Sequence, residues 1–359
     1  MPDRLQIAFV LREVPVGGLE RAVIGLANGL VDAGHHVKLI VVEDGDNALL
    51  DQFHPAVRTI VTSGNLPARL RRLRHEVSGS VAHVQFSEGK ARPAFRLMLP
   101  GPTVVTYQNR YFRSRIGDWT EVACARAADA LVAVSDDVRL YCESIGLPRR
   151  KLSVIHNGVA FQAPQRPAAR NPDPHHCLAV ARLVPQKDYP TLLRGFAHAS
   201  SREERLRLTV IGSGSEEPSL HQLADRLGLD GKLTWLGETN SAAVIDDFRS
   251  RAGIFLSASR WEGFSVSLLE AMAHGQAVVA SDIAPHREAL ADDCVYFPVG
   301  DPAALGDRIL GLAADRARQE KLGMAGRRRA EAFSETASLE KYLALYRRVS
   351  AVSAGAGNA

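Results

Sequence analysis

Short apolar runs of strand length alternate with helical periodicity along almost the whole chain. Leu5–Leu11 is followed by apolar positions at helical spacing over Leu19–Ala33 and then by Val37–Val42, the order of a βαβ unit in a parallel sheet. Further strands are predicted at Val57–Val61, Val81–Val84, Thr103–Tyr107, Ala130–Val134 and Leu152–Ile155. Their apolar residues run on without polar alternation, as in strands covered on both faces. A proline-rich stretch from Gln162 to Pro174 interrupts the series, because proline cannot donate to a helix or a central ladder.

A second series follows: a strand at Cys177–Ala181 and a helix from Tyr189; Leu206–Ile211 and a helix from Glu216; Leu233–Leu236 and a helix from Ala242; Gly253–Leu256 and a helix from Ser265; then strands Ala277–Ala280 and Cys294–Phe297. Pro302 to Val349 is rich in Ala, Leu and Arg and reads as helix throughout. The pattern predicts an α/β protein of two Rossmann-like doubly wound domains, 1–165 and 166–335. A terminal segment, 336–359, returns its helix (Tyr342 to Val349) to the first domain and frays from Ser350.

Size agrees with this division, since 359 residues exceed what one hydrophobic core usually organises. Hydrophobic residues at 46% and charged residues at 23% exclude disordered, collagenous and coiled-coil classes. The start of the chain carries no basic region ahead of a long apolar run, and no stretch approaches the roughly 18 to 20 apolar residues of a membrane span. The expectation is a cytoplasmic protein. Cys124, Cys142, Cys177 and Cys294 lie far apart with no C-x-x-C pair, which favours buried thiols over disulfides and gives no metal site.

Residues 1–170 hold 22 Lys/Arg against 16 Asp/Glu. Part of this excess is Arg69, Arg71, Arg72 and Arg74, on a predicted amphipathic helix with Leu66, Leu70, Leu73 and Val77 at helical spacing. A solvated helix face is the plain reading. Peripheral contact with an anionic surface, the inner face of a membrane, is the functional one. Aromatic residues do not interleave with the arginines, so nucleic acid is not an expected partner.

Four segments carry candidate chemistry. In the first, Arg260 to Ala273, Glu262 and Glu270 stand eight residues apart around Gly263, Phe264 and Ser265. Ser265 is the expected N-cap, so Glu262 precedes the helix and Glu270 lies inside it. Both can reach the carboxyl edge of a sheet, where doubly wound folds bind ligands. The second, Ala179 to Tyr189, ends a strand and presents Arg182 and Lys187, fixed cations suited to the charge that grows on a departing diphosphate. In the third, Val14 to Arg21, Gly17 and Gly18 make a strand-to-helix turn with bare amides, followed by Glu20 and Arg21. The fourth, Ile211-Gly212-Ser213-Gly214, lacks the third glycine of a dinucleotide fingerprint, so a dehydrogenase is not expected. Asp282 to Glu288 has the form of a capped helix start.

The Glu262 to Glu270 segment closely resembles the E-x(7)-E motif of family-4 retaining glycosyltransferases (glycosyltransferase group 1), and Gly17 to Arg21 resembles their G-G-x-E-R segment. The resemblance extends from about Gln6 to Phe333 and implies the GT-B fold, with two domains facing a central cleft. It implies a hexose or N-acetylhexosamine transferred with retention from a nucleotide-diphosphate sugar, UDP-sugar first and GDP-sugar next. The acceptor would be a saccharide, a lipid-linked saccharide or a small molecule. The nucleotide sugar is a substrate, and no metal or other cofactor is implied. Arg182 and Lys187 inherit the phosphates, Glu262 the sugar and Glu270 the ribose. Gly263 and Phe264 inherit amide contacts, and Gly212 and Gly214 leave room beneath the nucleotide. Many relatives carry a histidine after the strand ending at Tyr107, where this chain has Gln108-Asn109, and His83 and Gln85 resemble a His-x-His pair with its second member replaced. His83, Gln108 and Asn109 are therefore acceptor-side candidates with Glu20 and Arg21, and His83 reads equally well as a core histidine. Two alternatives stay open: a sugar-nucleotide epimerase of the same fold, which needs no acceptor, and a sugar-nucleotide-binding regulator without turnover.

Overall fold

The computed structural model describes residues 4–85, 99–110, 115–160 and 172–356, with the side chains of 115–120 and 353–356 left aside. Two compact units form: Met1–Gly158 with Glu335–Ala359, and Val159–Ser334. Each contains one parallel sheet, as the uninterrupted apolar runs predict.

In the first unit, β1 (Gln6–Leu11), β2 (His36–Val41), β3 (Arg58–Val61), β4 (Val81–Val84), β5 (Thr103–Tyr107), β6 (Ala130–Ala133) and β7 (Leu152–Val154) lie in the order β3-β2-β1-β4-β5-β6-β7. The order reverses between β1 and β4, the switch point of a doubly wound sheet. Its helices among the described residues are α1 (Gly18–Asp32), α2 (Leu66–Val77), α3 (Arg115–Ala127), α4 (Asp136–Ser144) and a terminal helix, Glu335–Ala356. The terminal helix contributes Tyr342, Leu345, Tyr346 and Val349 to the core of this unit. Gly25 and Gly29 of α1 admit it closely: a Cβ on Gly25 would stand 2.1 Å from Glu335 Oε1, and one on Gly29 would stand 3.2 Å from Leu339 Cδ2. Instead of fraying at Ser350, the helix continues through the Ala-rich tail to Ala356, as alanine's high helix propensity allows.

In the second unit, β8 (Asp173–Val180), β9 (Arg207–Ile211), β10 (Leu233–Gly237), β11 (Ala252–Ser257), β12 (Ala277–Ser281) and β13 (Val295–Phe297) take the order β10-β9-β8-β11-β12-β13. Its helices, numbered onward, are α5 (Tyr189–Ser200), α6 (Glu217–Arg226), α7 (Ala242–Arg251), α8 (Val266–Ala273), α9 (Ala284–Leu290), α10 (Pro302–Ala313) and α11 (Arg316–Ala330). The terminal helix of the first unit is then α12.

Two expectations are corrected here. The proline-rich stretch was expected to exclude regular structure as far as Pro174, yet β8 begins at Asp173. Pro174 is accommodated because the pairing of β8 with β11 is irregular there: Asp173 pairs with Ala252, and the register shifts before Ile254 pairs with Cys177. The rest of the proposed linker, 161–171, lies outside the described residues. In α2 the apolar stripe is only partly used. Leu73 and Val77 are buried, whereas Leu66 is 47% exposed. Cys124, Cys142 and Cys177 are buried, Cys294 is half-buried, and none is in a disulfide.

His83 on β4 is fully buried. Its Nδ1 lies 2.6 Å from Tyr346 Oη and its Nε2 2.7 Å from Thr106 Oγ1, and Tyr342 Oη lies 3.2 Å from the same threonine hydroxyl. Both ring nitrogens are thus engaged inside the protein, which removes His83 from the acceptor-side candidates and makes it a core histidine. Burial pushes its pKa down to about 3. An unfolded histidine binds its proton near pH 6.5, so stability from this site is present above that pH and declines as pH falls towards 3, by up to about 1.4 kcal/mol per pH unit. Urea unfolding at pH 7 and pH 5 is expected to show a larger acid loss for the native chain than for His83→Gln.

Candidate functional site

The carboxyl ends of β8 and β11 bring the Arg182–Lys187 and Glu262 segments together within the second unit. A one-turn helix, Pro185–Lys187, follows β8, and Asp188 stands behind it in the left-handed region at φ 47°. This loop is clamped to the loop after β11. The Arg260 amide donates to the Gln186 carbonyl (2.9 Å), Gln186 Nε2 donates to the Trp261 carbonyl (2.9 Å), and Arg260 pairs with the buried Asp188 carboxylate (3.1 Å). Strain at a non-glycine residue with positive φ is typical of positions held by their surroundings.

Glu262 is 5% exposed. Its Oε1 accepts from Lys187 Nζ in a short ion pair and from Ser259 Oγ at 2.7 Å, and its Oε2 accepts from Gln186 Nε2 at 3.2 Å. Burial alone would raise its pKa. The Lys187 charge and the hydrogen bonds from Lys187 and Ser259 outweigh burial and hold the carboxyl below its usual value. Glu262 is therefore a fixed anion already supplied with three donors, suited to orienting partners rather than to exchanging a proton. Lys187, Ser257, Ser259, Ser265 and Ser267 line one small pocket beside it. Arg182, at the same edge, is exposed.

Helix α8 opens where the sequence predicts, with Ser265 at the N-cap, although its hydroxyl makes no capping bond. Phe264 is buried with its ring edge-on to Phe333, centroids 5.2 Å apart. That anchors the turn and reserves only its backbone for a ligand. The two glutamates do not share a network. Glu270 pairs with Arg249 of α7, which is itself buried and also reaches Asp246 at 3.3 Å. Asp246 in turn lies 3.2 Å from His274 Nε2. Glu270 thus stands on an arginine, and that partner had no signal in the sequence.

The glycine pair after β9 packs closely against the loop after β8. Gly212 has φ 142°, and a Cβ there would stand 2.0 Å from the Ala181 carbonyl oxygen. One on Gly214 would stand 2.3 Å from that of Leu183. The Leu183 amide donates to the Ser213 carbonyl at 2.7 Å. These glycines admit the close approach of the loop carrying Arg182.

In the first unit, Gly17 caps α1 and Gly18 is its first residue. A Cβ on Gly17 would stand 2.2 Å from Glu20 Oε2, so the buried Glu20 carboxylate packs close against the Gly17 backbone. Arg21 Nη2 is buried with no hydrogen-bond partner among the described residues. Gln108 joins a chain of carboxamides: its Nε2 donates to Gln85 Oε1 (2.8 Å), and its Oε1 accepts from Asn157 Nδ2 (2.9 Å). Asn109 instead accepts from the Arg110 amide at 2.8 Å, a local turn contact.

Two parallel, doubly wound sheets, with the Lys187–Glu262 pair at the carboxyl edge of the second, define an architecture of two Rossmann-like domains. A model of the glycosyl transferases group 1 matches residues 162–329, and one of glycosyltransferase family 4 matches residues 16–162. Alpha-maltose-1-phosphate synthase of Mycolicibacterium smegmatis is 30% identical over 272 residues, 66% of this chain and 67% of the relative. D-inositol 3-phosphate glycosyltransferase of Geodermatophilus obscurus is 32% identical over 239 residues, 61% of this chain and 52% of the relative. HepE of Anabaena, solved with UDP and glucose, superposes with a TM-score of 0.81 at 19% identity, over 95% of this chain and 99% of HepE. Sucrose-phosphate synthase of Thermosynechococcus elongatus gives 0.81 at 20% identity, over 98% of this chain and 100% of that one. These structures share the GT-B-type fold of two Rossmann-like domains. The chain belongs to the group 1 glycosyltransferases.

Proposed function

We propose that the chain transfers a hexose or N-acetylhexosamine, with retention of anomeric configuration and without a metal, from a nucleotide-diphosphate sugar to a hydroxyl of a saccharide, lipid-linked or small-molecule acceptor. The observation that carries this reading is the Lys187–Glu262 pair, held rigidly at the carboxyl edge of β8 and β11 with Arg182 exposed beside it. Lys187 and Arg182 meet the negative charge that develops on the leaving diphosphate, and a preorganised cation in a dry site acts with little reorganisation. Glu262, kept ionised, accepts from sugar hydroxyls through its remaining lone pairs, while the amides at Gly263 and Phe264 face the phosphates. Glu270, propped on Arg249, takes the ribose. UDP-sugars are the first choice of donor, in keeping with the UDP and glucose bound by HepE, and GDP-sugars the second.

No described helix is long and apolar enough to cross a membrane. Arg71, Arg72 and Arg74 of α2 are exposed, and this face gives the protein a peripheral hold on an anionic lipid surface.

A thermal-shift series with UDP, GDP, ADP and TDP in the presence of EDTA tests the donor site. One nucleotide, at about 100 times its Kd, is expected to stabilise the fold by about 2.7 kcal/mol. A folded protein that none of the four stabilises would remove the support for Arg182, Lys187, Glu262 and Glu270 as donor ligands.

A further inference from the structure

His286, at the start of α9, lies outside the proposed donor contacts, yet it is 1% exposed and stands behind Glu262. Its Nδ1 lies 2.8 Å from the Ser281 carbonyl oxygen. A carbonyl can only accept, so this nitrogen carries the proton. Burial lowers the histidine's pKa and favours the neutral ring, against a smaller opposing pull from Glu262. Ser281, the last residue of β12, donates its hydroxyl to the Ser259 carbonyl at 2.6 Å. Ser259, in the loop after β11, donates its own hydroxyl to Glu262 Oε1 at 2.7 Å. Ser259, Ser281 and His286 are all buried. The loop after β11 and the consecutive β12 and α9 are thus joined end to end, and the last link is one of the three donors to the Glu262 carboxylate among the described residues.

We propose that His286 is a positioning residue: its ring fixes the backbone at Ser281, the Ser281 hydroxyl fixes the Ser259 loop, and Ser259 holds Glu262 in the orientation that receives the donor sugar. The chain of contacts supplies what packing alone would not, a directional constraint on one carboxylate oxygen. A buried network of this kind acts as a unit, because each member loses its partner if the next one moves. The proposal rests on the reading of Glu262 as a ligand of the donor sugar.

The test compares His286→Leu, which cannot donate, with His286→Asn, whose side-chain amide can stand in for Nδ1–H, and with Ser281→Ala, which breaks the next link and leaves the ring in place. The full chain is labelled with ¹³C-glutamate, and the Glu262 carboxyl is assigned by its absence in Glu262→Gln. Its titration midpoint is expected to move upward in His286→Leu and Ser281→Ala, since a carboxylate that loses a donor binds its proton more readily, and to stay in place in His286→Asn. UDP release from UDP-glucose is expected to fall about 10- to 100-fold in kcat for the first two variants, with KM within about twofold of the native value and His286→Asn close to native. A merely structural histidine would lower the melting temperature and leave the titration and the kcat of the folded fraction unchanged. An unchanged Glu262 midpoint in Ser281→Ala and His286→Leu would overturn the proposal, as would a His286→Asn variant as impaired as His286→Leu. If His286→Leu fails to fold, Ser281→Ala decides. If the native chain releases neither UDP from UDP-glucose nor GDP from GDP-mannose, the donor reading fails, while the carboxyl titration still decides whether His286 positions Glu262.

Discussion

Lys187→Ala is expected to lower kcat for sugar-nucleotide turnover about 10²- to 10³-fold, the loss that follows removal of one preorganised charge-stabilising donor, and to destabilise the second unit as well. The stability effect comes from Glu262. With Lys187 gone, a carboxylate 5% exposed keeps, among the described residues, the donors Ser259 and Gln186, neither of them charged. Breaking a buried pair from one side costs about 3 to 5 kcal/mol because an uncompensated charge remains. The double variant Lys187→Ala/Glu262→Gln removes that charge and is expected to regain much of the stability in a urea titration without regaining activity. A double variant no more stable than Lys187→Ala would show that the stability loss does not come from an uncompensated Glu262 charge. A Lys187→Ala enzyme with native kcat would dismiss the lysine from the reaction.

The second large effect is expected at Gly212. Gly212→Ala sets a Cβ 2.0 Å from the Ala181 carbonyl oxygen and 2.9 Å from its carbon, at φ 142°. The colliding atoms are backbone, so relief requires the loop that carries Arg182 and Lys187 to shift. A loss of about 3 kcal/mol or more is expected from overpacking combined with backbone strain, together with loss of the nucleotide-induced rise in Tm. Gly231→Ala is the control. That glycine also has positive φ, 69°, but nothing lies within 4 Å of its added Cβ, so only the left-handed penalty of about 1 to 2 kcal/mol applies. Equal effects at the two positions, measured by urea unfolding, would show that the close approach at Gly212 is not what fixes the loop.

The strands were the most legible part of the sequence. Val81–Val84 and Thr103–Tyr107 fall where their apolar runs place them, because a strand buried on both faces has little choice of residue. The shared location of Arg182, Lys187 and Glu262 was legible for a related reason: each lies in the loop that leaves a strand's carboxyl end, and in a parallel sheet those ends define one edge. Contacts across helices were not legible. Arg249 and Glu270 sit on neighbouring helices, and spacing along the chain does not report which rotation of α7 turns the arginine towards α8. The link from His286 to Glu262 is hidden in the same way, since its four members come from three segments and each has an ordinary local role. At Gly212 the residue was visible but its cause was not. A glycine that admits a ligand and one that admits a neighbouring carbonyl look the same in sequence.

The placement of α12 bears on how the chain comes to be folded as it is made. Tyr342, Leu345, Tyr346 and Val349 belong to the core around β1, β4 and α1, and Tyr346 is one of the two partners of the His83 ring. The described strands of the first sheet all precede residue 159, but the helix that closes that core is translated only after the Val159–Ser334 unit. The intervening Val159–Ser334 unit has its own sheet and core complete by then. Synthesis therefore runs against the usual order in which the N-terminal domain matures first: the second unit can finish while the first waits, with the α1 face around Gly25 and Gly29 uncovered until α12 arrives.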